Sequence, residues 1–260
     1  MPGKVYIVGA GPGAADLLTV RAVSLLGRAE IVLHDDLVPQ EVLDQVSPLA
    51  EIINVGKRCG RHGTSQEKIN QLMIECAQQK AVIVRLKSGD PAVFGRLGEE
   101  LDALRHAGIA FEIVPGITAA NAAAAAAGLT LTDRRAASAL VIVTGHSCRG
   151  ESLARTLFDP EQATYAIYMP GPDYGRTARE LEHSGLDATT PCAVVSNAGR
   201  ERQQVKFLSL SDLASMTAAP APAVLIVGHV VRAGNFAQNT YFLEEIYESV
   251  CQSSQNTAYQ

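Results

Sequence analysis

The sequence predicts an α/β fold in two domains, and three observations carry that expectation. Residues 82–86, with Val82, Ile83, Val84 and Leu86, have the β-branched richness of a core strand. The run stops abruptly at Ser88-Gly89-Asp90-Pro91, a turn signal that leads into a charged helix start. Strand and helix spacings alternate along the first half of the chain, and the alternation starts afresh at residues 140–143. In an open parallel sheet, the carboxyl end of a strand such as 82–86 is where ligands bind.

Residues 5–8 are the expected first strand. They run into the glycine-rich Gly9-Ala10-Gly11-Pro12-Gly13, after which Leu17, Val20, Val23 and Leu26 give helical spacing over 16–27. Glycines there let the backbone approach a ligand closely, and the helix start that follows offers unpaired N–H groups. A strand over 30–33 ends at His34-Asp35-Asp36, roughly twenty residues beyond the turn, where a dinucleotide-binding fold also wants an acid. On these two features alone an NAD- or FAD-dependent oxidoreductase stands open, and a plain surface turn accounts for the acids equally well.

Residues 52–55 make a third strand, followed by the basic, glycine-rich loop 56–63. Thr64 and Glu67 are spaced as a capping box for the next helix. The loop is no Walker motif, because Glu51 stands where its first glycine is needed. Beyond the 82–86 strand, residues 98–107 read as helix and 111–114 as strand. Thr118 can then cap a helix over 119–127 that Gly128 ends, and its alanine run suits close packing. A boundary is expected near Arg135, giving domains 1–135 and 136–240 and a terminal segment 241–260. The second half predicts strands at 140–143, 164–169, 192–195, 205–208 and 223–227. Helices are expected near 153–157, at 176–184, around Leu213 and over 241–250, before a frayed tail.

Composition narrows the function. The chain has 260 residues, 47% of them apolar, so it can bury a sizeable core. A formal net charge of −5 argues against broad nucleic-acid binding, which needs an excess of Lys and Arg. Local basic concentrations remain: Lys57-Arg58 with Arg61, Arg85 with Lys87, Arg134-Arg135, and Arg200 with Arg202. Each suits a small polyanion, and each is also readable as solvated surface charge. Five scattered cysteines without a Cys-x-x-Cys fit reduced thiols in a cytoplasm. The start shows no signal-peptide pattern and no apolar run reaches membrane-spanning length, so a soluble, cytoplasmic protein without a membrane partner is expected. Gly145-His-Ser147-Cys-Arg-Gly150 misses the serine-hydrolase elbow by one residue, and no His pair has zinc spacing, so no metal is expected.

Several motifs together point further. Val8-Gly-Ala-Gly-Pro-Gly13, Leu17-Leu-Thr-Val-Arg21-Ala22, Val55-Gly-Lys-Arg58, Val84-Arg-Leu-Lys-Ser-Gly-Asp-Pro91, Phe94-Gly-Arg-Leu-Gly-Glu-Glu100, Val114-Pro-Gly-Ile-Thr118 and Thr144-Gly-His146 resemble the tetrapyrrole methylases over residues 5 to about 231. The resemblance implies two α/β domains with S-adenosyl-L-methionine in the cleft between them, in a homodimer. It implies transfer of two methyl groups to C2 and C7 of uroporphyrinogen III, giving precorrin-2 for siroheme, cobalamin or haem d1 synthesis. A methylase of a later corrinoid precursor and an inactive regulatory binder are the alternatives within the same likeness. No dehydrogenase or chelatase motif accompanies these residues, so later oxidation and metal insertion are expected of other proteins.

Residue by residue, the likeness implies cofactor contacts at Pro12, Ser88, Gly89, Asp90, Val93, Thr118, Ala119, Met169 and Ala198. It implies Asp35 as proton acceptor and Lys57 as proton donor, with Arg96 and Glu99 catalytic and Arg134, His146 and Met169 at the substrate. The sequence departs from the family pattern at Ser88, where a glycine is usual, and at Ala92-Val93, Pro170, His34, Asp133 and Ala198. These departures leave the ring substrate open, and Ser88 and Ala198 are expected to narrow the cofactor site.

Overall fold

A computed structural model describes residues 3–56, 64–145 and 160–234. The chain divides into two compact units, Met1–Ala122 with Asn197–Gln203, and Ala123–Ser196 with Gln204–Gln260.

The first unit is built on five parallel strands, β1 (Lys4–Gly9), β2 (Ile31–His34), β3 (Glu51–Asn54), β4 (Val82–Lys87) and β5 (Phe111–Val114). Their order in the sheet is β3-β2-β4-β1-β5, in a register that pairs Gly9 with Lys87 and His34 with Leu86. The helices are α1 (Val20–Leu26), α2 (Gln40–Leu43), α3 (Gln66–Gln79), α4 (Leu97–His106) and α5 (Ala119–Ala127). Inner strands of a parallel sheet are covered on both faces and therefore read as continuous apolar runs; β2, Ile-Val-Leu-His, is buried throughout. One face packs Val5, Ile7, Leu33 and Ile83 against Ile69 and Met73 of α3 and Leu101 and Leu104 of α4. The other sets Val8, Val32, Val84 and Leu86 against Ala22, Leu25 and Leu26 of α1 and Val42 of α2. All five β-carboxyl ends thus share one edge of the sheet.

Local chemistry shifts two helix starts and keeps a third. Helical spacing begins at residue 16, but Ala15–Leu17 is a single 3-10 turn, and α1 starts only after Thr19, whose hydroxyl accepts from Ala22 N at 3.1 Å. The capping box expected at Thr64 is not formed. Ser65 caps α3 instead, accepting from Lys68 N at 3.2 Å, and a lysine at that third position cannot return the bond. Thr118 does cap α5, accepting from Asn121 N at 3.3 Å, and Gly128 ends it at φ 63° while Leu129 N donates to Ala124 O at 2.8 Å. The division into units falls inside α5, ahead of Arg135, and residues 197–203 return to the first unit.

The second unit carries β6 (Ala139–Thr144), β7 (Ala163–Tyr168), β8 (Pro191–Ser196), β9 (Gln204–Ser209) and β10 (Ala223–Val227). The order is β6-β7-β10-β8-β9, with β6 and β7 parallel and the other pairs antiparallel. Tyr165, Ile167, Cys192 and Leu225 of the sheet share a core with Leu181 of α6 (Tyr174–His183) and Leu213 of α7 (Leu210–Ser215). A last described turn of helix is α8 (Val231–Gly234). The helices expected near 153–157 and over 241–250, the tail and the loop 57–63 lie outside the described residues.

Cys76 and Cys192 carry no disulfide, and burial pushes both thiols up from their ordinary value. Neither is expected to react with iodoacetamide in the native protein at about pH 8, where only thiolates attack. Mass mapping before and after urea checks this, and native labelling at either position would show that its core layer opens.

Candidate active site

Backbone closeness organises the carboxyl edge of the first unit. Gly11 and Gly89 exchange hydrogen bonds, Gly89 N donating to Gly11 O at 2.8 Å and Gly11 N to Gly89 O at 3.2 Å, which ties the turn after β1 to the turn after β4. Asp90 ties the second turn to the loop after β5, its Oδ2 accepting from Gly116 N at 3.0 Å and its Oδ1 from Ala92 N at 2.8 Å. A Cβ on Gly9 would lie 2.6 Å from Gly116 N and 2.7 Å from Gly89 O, so only glycine lets the three chain segments meet. Gly89 itself has φ 67°, and a Cβ there would meet nothing within 4 Å, so its backbone faces open space.

The segment after β8 joins this edge. Arg200 donates from Nε to Pro12 O at 3.0 Å and from NH2 to Leu37 O at 2.7 Å, and a Cβ on Gly199 would come within 2.9 Å of Pro12 Cγ. Arg200 is therefore a structural clamp, and burial lowers its pKa from the usual arginine value. Pro12, Ser88, Gly89, Asp90 and Val93 sit in these bound turns, with Thr118 and Ala119 at the head of α5 and Ala198 beside the Gly199 contact. Ser88 Oγ is buried and has no hydrogen-bond partner among the described residues.

Beneath that edge lies a charged cluster that the sequence reading missed. Arg85 and Lys87 are 2% and 3% exposed, which corrects their expected role as an accessible polyanion patch. Both point from β4 toward α4, where Glu100, fully buried, takes Arg85 Nε at 3.0 Å, Lys87 Nζ at 2.8 Å and Gln66 Nε2 at 3.3 Å on its Oε1. The signal was available: two cations at alternate positions of a core strand share one buried face and demand an anion opposite.

Burial, and then the neighbouring Arg85 charge, push the Lys87 ammonium below its usual value of 10.5, although Glu100 and Asp35 pull it back. Between that depressed native value and 10.5 the unfolded chain holds the extra proton, so this lysine makes stability rise with pH across that window. Lys87→Met is expected to flatten the rise, measured as the difference in urea midpoint between variant and parent from about pH 8 upward.

Asp35 follows β2, and its Oδ1 accepts from Arg85 NH2 at 2.5 Å while the side chain stays 30% exposed. His34 Nδ1 donates to the Asp35 carbonyl at 3.0 Å. Arg96 and Glu99 form a two-pronged pair at the start of α4, Nε to Oε1 and NH2 to Oε2 both at 2.7 Å, and Glu99 raises the Arg96 pKa. Arg96 and Phe94 hold φ of 54° and 52°, a conformation that costs a non-glycine residue on the order of 1 kcal/mol and concentrates at functional sites.

In the second unit Met169 follows β7, exposed and again strained at φ 49°. Arg134 is exposed at the tip of a turn closed by Asp133 N to Ala137 O at 3.0 Å, while Arg135 holds the Asp133 carboxyl down at about 2. Lys57 and His146 lie outside the described residues. Among the described residues no group of three or more His, Cys, Asp or Glu is placed to hold a metal ion, and no helix is long and apolar enough to cross a membrane.

Comparison with known proteins gives a consistent set of likenesses. The family of Tetrapyrrole (Corrin/Porphyrin) Methylases matches residues 4–214. Siroheme synthase 2 of Yersinia pestis (strain Pestoides F) is 46% identical over 232 residues, 88% of this chain and 49% of that protein. The chain thus spans about half the length of the curated relatives it matches. The crystal structure of uroporphyrin-III C-methyl transferase from Thermus thermophilus complexed with S-adenyl homocysteine is 36% identical, with a TM-score of 0.76 over 89% of this chain and 100% of that one. A cobalt precorrin-4 methyltransferase structure has the same TM-score at 28% identity, over 88% of this chain and 95% of that one.

Proposed function

Since the chain belongs to the tetrapyrrole methylases, we propose that it is an S-adenosyl-L-methionine-dependent C-methyltransferase that methylates uroporphyrinogen III at C2 and C7 to give precorrin-2. The observation that carries the reading is the backbone-lined edge of the first unit, where glycines and a buried hydroxyl without a partner among the described residues fit a folded nucleoside held largely by main-chain groups. The Thermus thermophilus relative with S-adenyl homocysteine supports the cofactor's identity.

When bound, the cofactor supplies an electrophilic methyl group, which an electron-rich pyrrole carbon needs no activated nucleophile to take. The protein's part is positioning and proton removal. Pro12, Ser88, Gly89, Asp90, Val93, Thr118, Ala119, Met169 and Ala198 hold the cofactor in this proposal. Asp35 accepts the proton that leaves the macrocycle after methylation, Lys57 is the donor, and Arg96 and Glu99 act at the same centre. Arg134, His146 and Met169 meet the substrate, whose carboxylates suit an arginine fork. A homodimer and residence in the cytoplasm belong to the same proposal. The part-exposed Leu140 and Ile142 on the edge strand β6 support the first and the unbridged thiols the second.

Incubation with uroporphyrinogen III and methyl-labelled cofactor tests the activity, with mono- and dimethylated macrocycles expected. Label on a later corrinoid precursor alone would move the substrate along the pathway. Binding without transfer to either would leave a regulatory binder, and calorimetric binding of NAD or FAD in place of S-adenosylhomocysteine would restore the oxidoreductase reading. Ser88 offers a finer check. If its hydroxyl finds its partner on the cofactor, Ser88→Ala should weaken S-adenosylhomocysteine binding about two- to tenfold, the worth of one net hydrogen bond.

A further inference from the structure

We propose that Arg85 is a positioning residue that sets the Asp35 carboxylate for proton transfer, anchored from behind by Glu100. The inference rests on the reading of Asp35 as proton acceptor. Every nitrogen of the Arg85 guanidinium is engaged. Nε donates to Glu100 Oε1 at 3.0 Å, NH1 to the carbonyls of Leu33 and Leu86 at 3.3 Å each, and NH2 to Asp35 Oδ1 at 2.5 Å.

Three of those four acceptors are buried, and Asp35 is the one that solvent reaches, at 30% side-chain exposure. The guanidinium is therefore a rigid plane with a fixed inner edge and one working end. A planar fork held at both edges leaves its outer nitrogen no rotational freedom, so the accepting oxygen of Asp35 is fixed to within a hydrogen bond's tolerance. Charge supports the same direction. Arg85, Lys87 and Glu100 together carry one excess positive charge in a buried cluster, and Asp35 is the carboxylate against it. The register makes this possible, because Leu33, two residues before Asp35, pairs directly with Arg85 across β2 and β4.

A lysine at position 85 keeps the charge but replaces the planar fork with a single flexible ammonium, so the fixed pair of donations from Nε to Glu100 and from NH2 to Asp35 is lost. Arg85→Lys is expected to lower kcat about tenfold or more, the scale on which misplacement of a catalytic group acts. KM for the tetrapyrrole and the calorimetric Kd for S-adenosylhomocysteine should stay within about twofold. The deciding measurement is the cycle with Asp35→Asn. Once the carboxylate is gone, Arg85→Lys should cost less than about twofold more, because both changes remove one function.

Losses that multiply, or a fall in cofactor affinity matching the fall in kcat, would overturn the positioning role and leave Asp35 as base untouched. If Asp35→Asn alone leaves kcat unchanged, the base assignment fails first and the inference falls with it. Should Arg85→Lys not fold, Glu100→Asp draws the anchor back by one methylene with its charge kept, and the same non-multiplying pattern with Asp35→Asn is required of it.

Discussion

Glu100→Ala is expected to lower the unfolding free energy by about 3–5 kcal/mol, the cost of leaving buried charge uncompensated. Its Oε1 is the common acceptor for Arg85, Lys87 and Gln66, and none of the three donors can turn to water without opening the layer between β4 and α3 and α4. After truncation two buried cations would share Asp35 alone. The control is the adjacent Glu99→Ala, which removes a half-exposed pair with Arg96 and should change stability by less than about 1 kcal/mol. Urea unfolding of both variants measures the contrast. Equal losses would mean that Glu100 is no more buried in solution than Glu99.

Gly116→Ala is the second large effect, and it acts through the backbone. The added methyl group would run into the Gly89 carbonyl oxygen and come within 2.9 Å of Gly9 Cα, both main-chain atoms that cannot swing aside. One of the three bound turns must move, and the Asp90 to Gly116 hydrogen bond moves with it. A stability loss of about 1–3 kcal/mol is expected from overpacking of this kind. Because the same turns carry the proposed cofactor contacts, S-adenosylhomocysteine binding should weaken at least about tenfold, equivalent to roughly 1.4 kcal/mol. Gly98→Ala, in the first turn of α4, adds a methyl group that meets nothing within 4 Å. That variant should bind the cofactor normally and gain up to about 1 kcal/mol, since alanine is the better helix former. Calorimetry on the pair separates a blocked turn from a general effect of filling glycines.

The proposed site is a set of strand ends held together more than a set of reactive side chains. Asp90 shows this well. The family likeness implies a cofactor contact for it, and in the fold both its oxygens brace main-chain N–H groups, so it builds the turn that a ligand would meet. Arg200 does the same from a distant part of the chain, stitching Pro12 and Leu37 to the segment after β8. Loss of either residue should reduce cofactor affinity through the shape of the edge.

What the sequence by itself determined is what local chemistry can determine. Short apolar, β-branched runs bounded by turn residues marked the strands of both units, because such runs depend only on residues close in sequence. Thr118 and Gly128 marked both ends of α5, because a cap needs only the adjacent backbone. The turn Ser88-Gly89-Asp90-Pro91 marked the end of β4 for the same reason, and the order of motifs was enough to suggest the family.

Tertiary structure alone decided where the charges went. Arg85 and Lys87 were legible as cations on one face of a strand, but α4 had to dock before Glu100 could meet them and turn an expected patch into a buried cluster. Ser65 displaced Thr64 as the cap of α3 because hydroxyls one residue apart look alike in sequence and differ only once the chain's approach is fixed. The return of residues 197–203 to the first unit was equally invisible, since the glycine contacts that make it possible join Pro12 to Gly199. Such contacts depend on which distant segments the folded first unit brings together, and no spacing within a single segment encodes that.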